Sequence, residues 1–201
     1  MKAVSLSLVL FSLATASAAQ AAGALEIIPT LGLGKPSGNG SSNFDPAVGL
    51  GLSVGGRLHA NFSLAGQANY DMVSPDLPGA SEAGVDVSAY MLQFRVFPAF
   101  HLTQGTVDFA LGPTLGLFFL NVSAEGGGQT ATASVRGYQL GFLTSVLFQV
   151  HPVVSIGPYF SYGRLIASEA CEKDPGASEV CDSSPDNDDE GFWSLGVAAK
   201  F

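Results

Sequence analysis

The chain has 201 residues, of which 12% are charged and 47% apolar, with 25 glycines and a formal net charge of −9. That is about half the charge usual in soluble domains; yet beyond the N-terminus no stretch approaches the ~20 consecutive apolar residues of a transmembrane helix. A hydrophobic chain without hydrophobic helices has two outlets, a buried all-β core or a lipid-facing barrel, and its acidity argues against nucleic acid as a partner.

Residues 1–21 read as a secretory signal. Lys2 supplies the positive region and Ala3 to Ala14 an apolar stretch too short to span a bilayer. Ala16-Ser17-Ala18 and Ala19-Gln20-Ala21 are two small-residue cleavage sites, placing the cut after Ala18 or Ala21. Residues 22–201 are then expected to form the mature domain.

Along that domain period-two alternation recurs in segments of about ten to fourteen residues, separated by turn-rich stretches. Leu25, Ile27, Pro29, Leu31 and Leu33 alternate with Glu26, Ile28, Thr30 and Gly32; Val48, Leu50, Leu52 and Val54 alternate with glycines and Ser53. The pattern returns at Phe62–Tyr70, Tyr90–Val96, Val107–Phe119, Tyr138–Phe148 and Val154–Tyr162. In the last segment Trp193, Leu195, Val197, Ala199 and Phe201 oppose Phe192, Ser194, Gly196, Ala198 and Lys200. About eight strands result. Short turns are expected near His59, His101 and His151, and long polar loops over about 35–46, 73–85, 121–132 and 167–190. Short turns at one end and long loops at the other are the asymmetry of an outer-membrane barrel.

The apolar face is expected to point outward, because eight strands enclose a space just wide enough for their own side chains. Gly, Ser, Ala and Gln suit it, whereas rows of Leu and Phe overfill it. Tyr70, Tyr90, Tyr138, Tyr162 and Trp193 all fall on that outward face next to the long loops, and Phe62, Phe109, Phe148 and Phe201 at the other end. Phe119 and Phe160 depart from this sorting. Two aromatic girdles are what interfacial anchoring requires. The fold class that follows is all-β, a closed antiparallel up-and-down transmembrane β-barrel in the bacterial outer membrane.

With strands, loops and terminus in place, the chain resembles the small bacterial outer-membrane β-barrels of the opacity-protein and OmpA-type class. The likeness covers nearly all of the mature chain and rests on the strand pattern, the steps Gly112-Pro113 and Gly157-Pro158, and a final strand ending in Phe201. It implies that Leu195, Val197 and Phe201 act as a signal to the barrel-assembly machinery, with Ala199 a weak member. It implies no catalytic residues and no cofactor, and its members serve as adhesins, structural anchors or resistance factors.

Several groups of residues invite chemistry. Glu26, Arg57, Arg95, Asp108 and Lys200 fall on the lumenal face towards the short turns, and are expected to pair there, Lys200 with Glu26 and Arg95 with Asp108. Arg136 and Arg164 interrupt the outward apolar face at the outer rim, where arginine either forks onto lipopolysaccharide phosphates or snorkels to the interface. Cys171 and Cys181 are expected to form a disulfide in an exported chain, its loop of about eleven residues contributing roughly 3 kcal/mol; without a nearby histidine they make a poor metal site. Asp186, Asp188 and Glu190 resemble the first half of a calcium loop, but its closing glutamate is absent. The three histidines are expected in exposed turns, and no outward Ser–His pair of a lipid-modifying enzyme is present. The expected role is therefore non-enzymatic, a surface interaction or envelope structure carried by the outer loops and an extracellular ligand. The alternatives are a narrow channel with a polar lumen, an outer-membrane lipid-modifying enzyme, and a secreted lipocalin-like carrier.

Overall fold

A computed structural model describes residues 25–38, 44–75, 84–183 and 190–201. The proposed signal, both cleavage sites, Asp186 and Asp188 lie outside the described residues. Among the described residues ten strands run in chain order: β1 (Leu25–Ser37), β2 (Phe44–Asp45), β3 (Ala47–His59), β4 (Phe62–Pro75), β5 (Asp86–Gln104), β6 (Val107–Gly126), β7 (Gln129–His151), β8 (Val154–Lys173), β9 (Val180–Asp182) and β10 (Gly191–Lys200).

Eight of them close a ring. The hydrogen-bonded order is β10-β1-β3-β4-β5-β6-β7-β8, and β8 pairs back onto β10. Every pairing is antiparallel, including the seam between β1 and β10, which runs from Thr30↔Ala198 to Ser37↔Gly191. At its lower end the Phe201 amide donates to the Ile27 carbonyl at 3.1 Å and the Ile27 amide to the Phe201 carbonyl at 3.4 Å. The short β2 lies on β4, and β9 on β8. A closed ring satisfies every backbone group internally, the condition for crossing hydrocarbon with strands.

The alternation read from sequence sorts as expected, apolar outward. Leu115 is 55% exposed and Val197 54%, whereas Gln93 and Gln139 on the other face are fully buried. A soluble sandwich would show the reverse. Phe142 and Leu140 face outward too, and Tyr70 stacks on Tyr90 with ring centroids 5.8 Å apart.

Three expectations about the connections need correction, the first being the long loop over 167–190, where β8 continues to Lys173 and Val180–Asp182 form β9. The short turn between β5 and β6 is at Gly105–Thr106, so His101 lies within β5 and is buried; His59 and His151 do border their turns and are exposed. The stretch 121–132 is not a loop either. β6 and β7 continue in register through Asn121↔Ser134 to Gly126↔Gln129. Only Gly127 and Gly128 turn the chain, at φ of 59° and 77°, the left-handed values that tight hairpin turns demand of their central residues. A membrane strand needs about 9–11 residues, and β7 has 23. Roughly half of this hairpin therefore rises beyond the apolar belt.

Candidate functional site

The lumen is filled in layers. Near the short turns Asp108 gathers the charges: it accepts from Arg57 at 2.5 Å and Lys200 at 2.6 Å through Oδ2, and meets Thr103 and His101 at 3.1 Å through Oδ1. Arg57 also bonds Glu26 at 3.1 Å, and Lys200 lies 3.7 Å from the same carboxylate. Strands β1, β3, β5, β6 and β10 are thereby tied across the interior. Low dielectric strengthens each such pair, but taking the ions out of water costs comparably, so the cluster fixes register more than it adds stability.

Above it lies a cavity of about 40 Å³ bordered by Ile28, Ala65, Phe97, Leu143 and Tyr159. That holds roughly three waters at most, not a continuous column. The next layer is polar. Arg95 donates to Ser161 across the lumen at 3.2 Å, Gln93 donates to Asp71 at 2.8 Å, and the Asn69 amide turns its oxygen to Arg95. At the long-loop end Val73, Ala89, Met91, Phe118 and Phe192 pack into an apolar septum, each under a tenth exposed.

Of the five lumenal charges read from sequence, Glu26, Arg57, Asp108 and Lys200 meet in one cluster. Arg95 does not. It stands opposite Gly116 on β6 while Asp108 pairs with Thr103, so the expected Arg95–Asp108 contact is replaced by the Asn69, Asp71 and Ser161 surroundings of Arg95. The error follows from placing the turn near His101 rather than at Gly105, which shifts the register between β5 and β6. Asp71 and His101 are buried on the inward parity of their strands, whereas the sequence pattern alone does not single out Asp71 and expects His101 in an exposed turn.

His101 completes a Ser63–His101–Asp108 line, with Ser63 Oγ at 2.8 Å from Nε2 and Asp108 Oδ1 at 3.1 Å from Nδ1. The order resembles a nucleophile–base–orienter relay, and two features distinguish it from one. Arg57 Nη2 stands 3.2 Å from the same Nδ1 and competes for it. Ser63, the second residue of β4, is paired with Arg57 on one side and Ala99 on the other. Its surrounding backbone is thus engaged in the sheet rather than aimed at an oxyanion.

At the outer rim Tyr70, Tyr90, Tyr138 and Tyr162 are exposed and Trp193 half-buried, all on the outward face. Arg136 donates to Glu169 at 2.6 Å, and Arg164 pairs in register with Leu140 and Gly191. The two arginines thus occupy neighbouring strands at different heights. Leu195 and Val197 are outward and exposed, and Phe201 continues their face. Cys171 and Cys181 are directly opposed on β8 and β9 and joined as a disulfide. Glu169 is beside them, but sulfurs bonded to each other offer no thiolate to a metal.

No protein-family model and no curated protein matches the chain. Solved structures do. Neisserial surface protein A is 18% identical with a TM-score of 0.57, over 88% of this chain and 95% of that one. A major outer membrane protein from Thermus thermophilus gives 11% identity and a TM-score of 0.61 over 89% and 100%. Ail, the attachment invasion locus protein of Yersinia pestis, gives 16% and 0.57 over 88% and 97%. At these identities the likeness is one of fold, and the fold is that of small outer-membrane β-barrels.

Proposed function

We propose that the chain is an integral barrel of a bacterial outer membrane that works without catalysis, through the strands and loops it raises above the bilayer. The observation that carries this reading is the pairing of an apolar exterior with a filled interior. Leu31, Leu50, Leu115, Leu140 and Val197, each at least half exposed, make a belt that water would not tolerate. The layered lumen leaves little room for a substrate or a passing solute. What remains for recognition is the polar region beyond the belt, chiefly the β6–β7 hairpin and the disulfide-closed β8–β9 hairpin on a rigid support.

The polar lumenal charges favour a second reading, a narrow channel. The septum of Val73, Met91, Phe118 and Phe192 weighs against it.

The test has two parts. Full-length protein should fractionate with outer membranes and show heat-modifiable gel mobility. The β6–β7 hairpin can then be shortened by joining the paired residues Leu120 and Val135 through an Asn-Gly turn. Cells displaying the shortened barrel are expected to lose binding to immobilised glycans and matrix proteins that the full chain confers. Unchanged binding by the shortened form would remove the surface-recognition role.

A further inference from the structure

The β8–β9 hairpin gathers three groups that the recognition role leaves unused. Glu169 and Cys171 lie two residues apart on β8 and so share one face of the strand. Cys181 stands directly across from Cys171 on β9. The two sulfurs and a Glu169 oxygen all lie within 4.8 Å of one another. Glu169 Oε1 is 3.3 Å from Cys171 Sγ, while Oε2 is held at 2.6 Å by Arg136. A sulfur in a disulfide has no proton to offer that oxygen. The carboxylate beside it therefore acquires a partner only when the bond opens.

Opening the bond does not scatter the three groups. The pairs Ala170↔Asp182 and Glu172↔Val180 bracket the cysteines and hold the strands in register without the sulfurs, though less tightly. Two sulfurs on one tetrahedral zinc stand about 3.8 Å apart, and a sulfur and an oxygen about 3.5 Å, from bonds of ~2.3 and ~2.0 Å. Opposed thiols reach the first separation by side-chain rotation, and Glu169 Oε1 is already close to the second. The charges fit too. Two thiolates and a carboxylate exceed a divalent cation by one negative charge, which Arg136 offsets. Glu172, Asp174 and Glu179 add a negative field along the same hairpin, and such a field concentrates cations.

We propose that Cys171, Cys181 and Glu169 form a redox-gated site for a thiophilic divalent cation, shut as the disulfide and opened by reduction. The steps balance. One thiolate of an external dithiol attacks the Cys181 sulfur, which is exposed where Cys171 is buried, and Cys171 leaves. The second thiol of the reductant resolves the mixed disulfide. Two electrons and two protons thus pass to the cysteines, and the dithiol closes to its own disulfide. The cation then displaces the two thiol protons, forming two metal–sulfur bonds and one metal–oxygen bond, with water in the fourth position. Sulfur ligands select zinc-like cations over magnesium and calcium. The bound cation closes the same loop that the disulfide closes, so the hairpin is clipped in either redox state. This site is additional to the recognition role and does not depend on it.

Cadmium, a spectroscopic stand-in for zinc, tests this on the folded full chain in detergent. The chain is reduced with a phosphine, which becomes its oxide and is removed before metal is added. The reduced chain is expected to bind one cadmium per barrel, with an ultraviolet thiolate-to-metal charge-transfer band. The oxidised chain and C171S/C181S should show no band. E169Q should bind at least about tenfold more weakly, the loss that removing even an outer-shell partner brings. Zinc should also slow tryptic cutting after Lys173 in the reduced chain and leave C171S/C181S unprotected. Heat-modifiable mobility is read on every sample, so that loss of binding is scored only on folded barrels. A reduced chain without the band, one cadmium shared by two chains, equal affinity in E169Q, or equal binding by the oxidised chain would each overturn the assignment.

Discussion

Asp108 shows how much a single side chain does in a narrow lumen. Its two oxygens face Arg57, Lys200, His101 and Thr103, which come from β3, β10 and β5. Removing the carboxylate leaves Arg57 and Lys200 sharing the one Glu26 carboxylate, so Asp108→Ala is expected to cost about 3 kcal/mol, the low end for a broken buried pair because Glu26 and some solvent still compensate the two cations. Urea unfolding in lipid vesicles measures it, and a change under about 1 kcal/mol would mean the cluster is well hydrated. Ser63 makes the opposite case. Ser63→Ala removes one neutral hydrogen bond and should cost about 1 kcal/mol, and a fluorophosphonate probe should leave Ser63 of the folded barrel unlabelled. Labelling at that position would make the relay catalytic after all. Neither site was legible in full from sequence. Strand parity puts Glu26, Arg57, Asp108 and Lys200 in the lumen, but which of them touch depends on a turn position that parity does not set.

At the scale of elements, the alternating segments were readable because period two survives everywhere that one face meets lipid and the other small polar residues. The same logic fails above the bilayer, where both faces of β6 and β7 meet water and the pattern blurs into Ser, Ala, Thr and Gly. The run Gly126-Gly127-Gly128 then looks like a flexible loop, although only its last two residues turn. The β8–β9 hairpin is similar, with the disulfide standing in for a packed face. Its loop of about eleven residues corresponds to roughly 3 kcal/mol of closure entropy. The double variant C171S/C181S should therefore be cut between Lys173 and Val180 by trypsin and related proteases much faster than the bonded form. Barrel mobility on a gel should not change, and equal cleavage rates would show that strand pairing alone holds the hairpin.

For the whole molecule the decisive quantity is the solvent outside the ring. Leu115→Arg puts a guanidinium in mid-belt, and against hydrocarbon it should destabilise the inserted barrel by about 2–4 kcal/mol; the same change on a water-exposed surface would be nearly neutral. The sign and size read in vesicles thus decide what surrounds the protein. The septum carries its own expectation, that purified barrel stays silent in planar bilayers while the Phe192→Ala form shows brief openings; steady conductance from the unchanged chain would restore the channel. The fold as a whole was legible because lipid imposes one rule on eight strands at once, whereas the interior contacts answer to no repeated rule. One further result follows from the pairing of Phe201 with Ile27. β1 finds its second neighbour only when β10 has left the ribosome, so the cylinder has no stable half-built form. Synthesis and folding must then be separated in time, and losing the codons for β10 would unzip the whole ring rather than fray one end.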